Sequence, residues 1–103
     1  ISGSGSPDGM TIDIEGNLWV ALWGGSRIVR INSLGQLTGE IPLPVSQPTS
    51  VVFGGKDLDQ LFITSACYNL NEVNLKKEPL AGSVFVVDVG MPGREEFKFA
   101  LTR

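Results

Sequence analysis

Apolar and polar residues alternate along most of the chain in short runs that are typical of β-strands. The turns Glu15-Gly16-Asn17 and Gly24-Gly25 separate the first three runs, and the turn 32–36 precedes the fourth. The predicted strands are residues 10–14, 18–23, 27–31 and 37–43. Because each strand follows the last after a short turn, the pattern predicts an antiparallel meander without a helix.

The same order of strands and turns repeats after about 40 residues. Pro48-Thr49-Ser50 takes the place of Pro7-Asp8-Gly9. The predicted strands of the second repeat are residues 51–53, 61–64, 84–88 and 96–100. Four strands at this period are typical of a β-propeller blade. We therefore predict an all-β fold of two four-stranded antiparallel β-propeller blades, about residues 7–46 and 47–103, after a flexible N-terminal segment at residues 1–6.

The two repeats differ in the connection between their second and third strands. It is Gly24-Gly25-Ser26 in the first repeat, but the long segment 67–82, rich in Asn, Lys and Glu, in the second. Loops of that length often serve binding. Because antiparallel strands alternate in direction, we expect Asp8, Trp23 and Thr49 to share one rim with this segment.

Composition excludes several classes of partner. The chain has 8 Lys and Arg against 11 Asp and Glu and no long basic cluster, which argues against nucleic acid and anionic membranes as partners. No apolar run approaches the roughly 20 residues of a membrane span. The single cysteine, Cys67, cannot form an internal disulfide, so we expect a reducing, cytoplasmic location.

The chain contains no histidine, so catalysis by a Ser-His-Asp or Cys-His group and His-ligated zinc are excluded within it. Chemistry must use carboxylates, amides, hydroxyls or a hard metal ion. Asp8 is the first candidate, because Pro7 restricts the backbone before it and Gly9 allows an unusual conformation after it. Turn chemistry alone leaves a second interpretation open, in which Pro7-Asp8-Gly9 is only a loop before a strand.

Motifs from residue 7 onward, over nearly the whole chain, carry a family resemblance. They are Pro-Asp-Gly-Met-Thr-Ile-Asp-Ile-Glu-Gly-Asn-Leu-Trp-Val-Ala at 7–21, Arg27-Ile28-Val29-Arg30, Gln47-Pro48-Thr49-Ser50, Phe53-Gly54-Gly55 and Leu61-Phe62-Ile63-Thr64-Ser65-Ala66. Together they resemble the senescence marker protein 30, gluconolactonase and luciferin-regenerating enzyme family. The resemblance covers only the C-terminal third of that family.

The resemblance implies part of a six-bladed propeller that hydrolyses sugar lactones with a divalent cation, calcium, zinc or manganese. It implies that Asp8 is a metal ligand and the catalytic general base. A hard cation prefers carboxylate oxygen, polarises the lactone carbonyl and lowers the pKa of attacking water. The family's other ligands, a Glu and an Asn from other blades, have no counterpart here. We therefore expect a bound cation only if another chain completes the site.

Other residues on the predicted rim have two interpretations each. Trp23 is a candidate substrate-binding residue that stacks on a sugar ring, or it packs against the next blade. Thr49 and Ser50 are candidate substrate-binding residues that donate hydrogen bonds, or they are ordinary turn hydroxyls. Trp19 lies inside a strand and is predicted to belong to the core.

Three further carboxylates and the cysteine are assigned no chemistry. Asp13 lacks the ligand spacing of an EF-hand loop, and Asp57 and Asp59 lie in a turn predicted at the opposite rim. We expect each of them to be a solvated turn residue. Cys67 has no neighbouring His or cationic cluster to activate its thiol.

Two functions remain open at this point. In the first, the chain is part of a metal-dependent sugar-lactone hydrolase that acts on a small lactone substrate. In the second, it is a non-catalytic interaction module with an incomplete metal site. Because two blades cannot close a ring, exposed blade faces favour a homo-oligomer or a complementary propeller chain as partner. Three copies of two blades would close six.

Overall fold

The computed structural model describes residues 5–91 and residue 93, and these form two antiparallel sheets. The first sheet has the order β1 (Ser6–Ile12), β2 (Leu18–Trp23), β3 (Arg27–Ile31) and β4 (Leu37–Pro42), and the second β5 (Pro48–Gly54), β6 (Gln60–Ser65) and β7 (Val84–Asp88). This confirms the all-β prediction and the meander order of the first sheet. The strand predicted at residues 96–100 lies outside the described residues.

The predicted strand boundaries are partly correct. The ranges 18–23, 27–31 and 84–88 are confirmed to the residue, whereas other strands begin or end at different residues. β1 begins earlier than predicted, at Ser6, which pairs with Trp23. Ser6, assigned to the flexible segment, is therefore part of the sheet.

The core lies between the two sheets. Trp19, Ala21 and Ile28 of the first sheet are buried against Val51, Phe53, Leu61 and Ile63 of the second. The rings of Trp19 and Phe53 meet edge to face, with centroids 5.8 Å apart. Each large apolar side chain buried in this way contributes roughly 1.5–3 kcal/mol, so the contact between the sheets holds them together as one unit. The prediction that Trp19 belongs to the core is confirmed.

The turn between β1 and β2 corrects the prediction for Asp13. None of its surface is exposed. One carboxylate oxygen accepts hydrogen bonds from the backbone N–H groups of Glu15 and Asn17, at 2.9 and 3.0 Å. The other oxygen accepts from Trp19 Nε1 at 2.9 Å and from Asn17 Nδ2 at 3.0 Å. Asp13 is therefore a buried structural residue and not a solvated one.

The long segment between β6 and β7 contains a helix that strand periodicity did not predict. Helix α1 spans Glu72–Lys77, and the side chain of Asn71 caps it by accepting a hydrogen bond from the backbone N–H of Asn74 at 2.9 Å. Glu72 in the first turn and the two lysines in the last turn complement the helix dipole. Across the described part of the chain, no helix has the length and apolar character needed to cross a membrane.

Candidate functional site

Asp8 lies inside a strand and not in a turn before one, which corrects the prediction for Pro7-Asp8-Gly9. Pro7 pairs with Leu22 and Met10 pairs with Val20, so Asp8 and Gly9 together face one residue of β2. This is a β-bulge, which bends a strand and re-aims a side chain. Asp8 is exposed, and its carboxylate has no hydrogen bond or ion pair among the described residues.

The second sheet has a bulge at the matching position. Pro48 pairs with Ser65 and Ser50 pairs with Thr64, so Thr49 is the extra residue of β5. The sequence repeat that aligns Pro7 with Pro48 therefore corresponds to a repeated backbone irregularity. Bulges of this kind are common beside active sites.

The two bulges lie against each other. β5 packs against both β1 and β2. A side chain added at Gly9 would place its Cβ 2.8 Å from the Cα and 2.7 Å from the Cβ of Ser50. Gly9 is therefore required by this close approach, and its φ angle is not in the left-handed region that the sequence analysis considered. Asp8 immediately precedes Gly9 in β1, and Thr49 immediately precedes Ser50 in β5. Asp8 and Thr49 therefore lie on two strands, one from each sheet, that contact each other.

Of the two candidate hydroxyl residues, Thr49 is half-buried and Ser50 is exposed. The hydroxyl of Thr49 lies 2.6 Å from the hydroxyl of Thr64, and one of the two donates to the other. Thr49 therefore already has one hydrogen-bond partner within the sheet. A hydroxyl can still make further hydrogen bonds, because it carries one donor and two acceptor positions.

Trp23 ends β2 at the same rim and meets the long segment after β6. Its ring centroid lies 6.3 Å from that of Tyr68, at an interplanar angle of 54°. Trp23 is half-buried, whereas Tyr68 is 66% exposed. Sequence reasoning placed Trp23 and this segment together but assigned no role to Tyr68.

Gln47 is a second residue that the sequence analysis missed. Its amide group is buried and makes two hydrogen bonds of 2.8 Å to the backbone of Tyr68, donating to the carbonyl oxygen and accepting from the N–H. No sequence pattern joins residues 21 positions apart in this way. Asp13 did carry a signal, because the spacing Asp13-x-x-Gly16-Asn17 favours a turn closed by a side-chain oxygen.

Asp8 fits one position in the ligand set of a hard cation, because its carboxylate is exposed and has no competing hydrogen bond from residues 5–91 or 93. The described part of the chain contains no group of three or more His, Cys, Asp or Glu residues that could hold a metal ion. Asp57 is exposed and Asp59 half-buried, in the turn between β5 and β6 at the opposite end of the sheet. The described residues therefore offer one candidate ligand, Asp8, and not a complete metal site.

A cleft of about 270 Å³ opens between the outer strands of the two sheets. Trp19 lines it, and the guanidinium of Arg30 lies 5.5 Å from the Trp19 ring centroid. Arg30 also donates hydrogen bonds of 3.0 Å to the hydroxyl and the carbonyl oxygen of Thr38. None of the candidate site residues lines this cleft, so its polar contacts hold β3 to β4 and are separate from the rim.

Residues 2–67 match the family model described as "SMP-30/Gluconolactonase/LRE-like region". The chain belongs to this family. Among curated SMP-30/Gluconolactonase/LRE-like relatives, it is 44% identical to 6-deoxy-6-sulfogluconolactonase of Pseudomonas putida over 93% of its length, and 39% identical to regucalcin of Xenopus laevis over 93%. The predicted family resemblance is thereby confirmed.

A solved structure shows the same fold. The crystal structure of the calcium-binding protein regucalcin from Agrobacterium tumefaciens matches 95% of the chain with a TM-score of 0.90 and 31% sequence identity. The chain spans about a third of the length of these relatives, 33% in each case. It therefore corresponds to one part of an SMP-30/Gluconolactonase/LRE-like protein.

Proposed function

We propose that this chain supplies part of the active site of a metal-dependent sugar-lactone hydrolase. Asp8 is the metal ligand and the catalytic base, and Trp23, Thr49 and Ser50 contact the substrate. The observation that carries the proposal is the bulge in β1 of a chain of this family, where the carboxylate of Asp8 is exposed and has no hydrogen bond among the described residues. Completion of the site requires a Glu and an Asn from outside this chain.

The chemistry assigned to the chain follows from these side chains. The exposed carboxylate accepts a proton from the water that attacks the lactone carbonyl carbon. It returns this proton to the ring oxygen as the ring C–O bond breaks, which gives the open hydroxy acid and restores the carboxylate. The hydroxyls of Thr49 and Ser50 donate hydrogen bonds to sugar oxygens. A divalent cation such as calcium, zinc or manganese supplies polarisation of the carbonyl when it is bound.

The proposal is tested with Asp8→Asn in the assembled protein, meaning this chain together with the part that supplies the Glu and the Asn of the site. The variant retains the shape of the side chain but loses its charge, so gluconolactone hydrolysis should fall by at least about a hundredfold, the scale expected for a lost base. Isothermal titration with calcium, zinc and manganese should show weaker binding. In the absence of divalent cation the melting temperature should not fall, because the Asp8 carboxylate has no hydrogen bond among the described residues to lose.

Asp57→Asn is the matched control, since Asp57 is also exposed but lies in the turn at the other end of the second sheet. It should leave both hydrolysis and cation binding unchanged. Equal activity in the Asp8→Asn variant and the parent protein would refute the assignment of Asp8.

A second candidate function is a non-catalytic interaction module that oligomerises. It is favoured by the outer face of the second sheet, where Val52, Val84 and Val86 are between 44% and 61% exposed. Val52, Phe62 and Val86 are direct neighbours across the three strands. An apolar sheet face of this kind requires a covering partner, either a complementary propeller chain or another copy.

Light scattering tests the arrangement in which three copies close a ring. Such a ring would have about three times the 11.0 kDa mass of one chain, and a measured mass of a single chain would exclude it.

A further inference from the structure

We infer that Tyr68 and Trp23 together form the surface that contacts the ring of the sugar lactone, and that Gln47 is the positioning residue for Tyr68. The inference rests on the proposed hydrolase function and extends it. Two observations carry it. The backbone of Tyr68 is held by the buried amide of Gln47 while its side chain is exposed, and the Tyr68 ring lies beside the ring of Trp23 on the rim that bears Asp8.

The exposure of the two rings distinguishes them from the core aromatic pair. Trp19 and Phe53 are 5% and 6% exposed and meet edge to face, as expected for packing. Tyr68 leaves 66% of its surface in solvent while its ring stays 6.3 Å from that of Trp23. An aromatic residue whose backbone is held in place while its side chain stays in solvent is available for contact with a ligand.

The buried amide of Gln47 explains why Tyr68 stays in place. Burying an amide is costly unless its hydrogen bonds are made, and Gln47 makes two bonds of 2.8 Å to the backbone of Tyr68. The backbone carbonyl oxygen of Gln47 also accepts a hydrogen bond of 2.9 Å, from the backbone N–H of Ala66. Since Gln47 immediately precedes β5, the position of Tyr68 is fixed relative to the strand that carries Thr49.

The rest of the segment between β6 and β7 is also hydrogen-bonded to the second sheet and to the residues just before it. The Glu78 carboxylate accepts hydrogen bonds from the backbone N–H and the hydroxyl of Ser46, at 3.1 and 2.9 Å. The hydroxyl of Ser65 donates to the carbonyl oxygen of Ser83 at 2.6 Å and accepts from the N–H of Gly82 at 3.1 Å. The segment after β6 is therefore anchored near both ends and presents Tyr68 from a fixed backbone.

The reach of the site matches one sugar ring. Trp23 pairs with Ser6, which precedes Asp8 by two positions along β1. At about 3.3 Å per strand residue, the backbone positions of Ser6, opposite Trp23, and of Asp8 lie about 7 Å apart along β1, a distance that a single sugar lactone spans. The C–H face of the lactone ring would lie on the aromatic rings, while its carbonyl points towards Asp8.

The test compares Tyr68→Ala with Tyr68→Phe, which retains the ring. In gluconolactone hydrolysis by the assembled protein, Tyr68→Ala should raise KM about fivefold with kcat within twofold of the parent, because a contact made equally in the ground and transition states affects KM alone. Gln47→Leu should raise KM in the same way. Tyr68→Phe retains the ring and should therefore reverse most of the KM increase of Tyr68→Ala. The control is Leu80→Ala, at a residue 48% exposed in the same segment, which should leave KM unchanged.

A binding measurement separates this inference from the proposed function. Anhydroglucitol has a sugar ring but no lactone bond, so its binding, followed by tryptophan fluorescence, does not depend on hydrolysis. Tyr68→Ala should weaken its binding about fivefold, and Trp23→Phe should abolish the fluorescence change.

If Tyr68→Ala weakens anhydroglucitol binding in a protein that hydrolyses no lactone, the hydrolase proposal fails and the ring contact stands. If hydrolysis is present but Tyr68→Ala leaves KM and anhydroglucitol binding unchanged, the ring contact is refuted. No measurable binding of anhydroglucitol to the parent protein also refutes it.

Discussion

The two repeats share their strand register and their bulge but use a buried polar side chain at opposite ends of the sheet. In the first sheet the buried carboxylate of Asp13 closes the β1–β2 turn, and the connection after β2 is three residues long. In the second sheet the β5–β6 turn has an exposed Asp57, and Gln47 anchors the segment after β6. The first repeat thus contributes a stable scaffold and one carboxylate to the rim, whereas the second contributes an anchored loop.

The largest effect on stability is expected from removing the Asp13 carboxylate. Asp13→Ala leaves Trp19 Nε1 and two backbone N–H groups without their acceptor inside the protein, which should lower the free energy of unfolding by about 2–4 kcal/mol. Asp57→Ala, in the matching turn of the second repeat, should change it by less than about 0.5 kcal/mol. Urea denaturation of both variants measures the difference. Equal effects would show that the two turns are held in the same way.

A smaller effect is expected where the two bulges meet. Gly9→Ala places a methyl group against Ser50 and should destabilise the protein by about 1–3 kcal/mol. Gly39→Ala is the control, because the added Cβ there meets Arg30 at 3.5 Å, an ordinary contact distance. Ser50→Gly should recover part of the loss in a double-mutant cycle. Additive effects of the two substitutions would indicate that the bulges do not touch.

The smallest effect is expected from acid. Burial alone raises the pKa of the Asp13 carboxyl, but hydrogen bonds from Trp19, Asn17 and Glu15 outweigh it and hold the pKa below the ordinary 3.8. Because the folded state has the lower pKa, the stabilisation is complete above pH 3.8 and is lost as the pH falls through the folded-state value. Thermal melts between about pH 5 and pH 2 should show this loss. Asp13→Asn should melt with a weaker dependence on pH over that range, and an unchanged dependence would contradict this account.

Much of the fold could be predicted from the sequence because strand periodicity and turn residues are local signals. The ranges 18–23, 27–31 and 84–88 were predicted to the residue. Helix α1 was missed, because six residues within a long loop are too few to show a helical period, although Asn71 and Glu72 resemble a helix start. The bulge at Asp8 was taken for a turn, since Pro, Asp and Gly favour both.

The candidate site was only partly predictable. Asp8, Trp23, Thr49 and Ser50 were assigned from motif and repeat position, and their roles stay proposals. The pairing of Tyr68 with Trp23 and of Gln47 with the backbone of Tyr68 joins residues far apart in the chain. Local patterns carry no information about such contacts. The Trp23–Tyr68 contact depends on how the two sheets pack, and the Gln47–Tyr68 contact on how the segment after β6 returns to the start of β5.

By itself, the sequence determined the strand order, the repeat and the absence of histidine chemistry, since these depend on residue type and spacing alone. Tertiary structure decided which carboxylate is structural and which is free. Asp13 and Asp8 lie only five residues apart in the sequence, yet one is enclosed by donors and the other is exposed. The physical reason is that burial and hydrogen-bond partners are set by the packed sheets, and these set what a carboxylate can do.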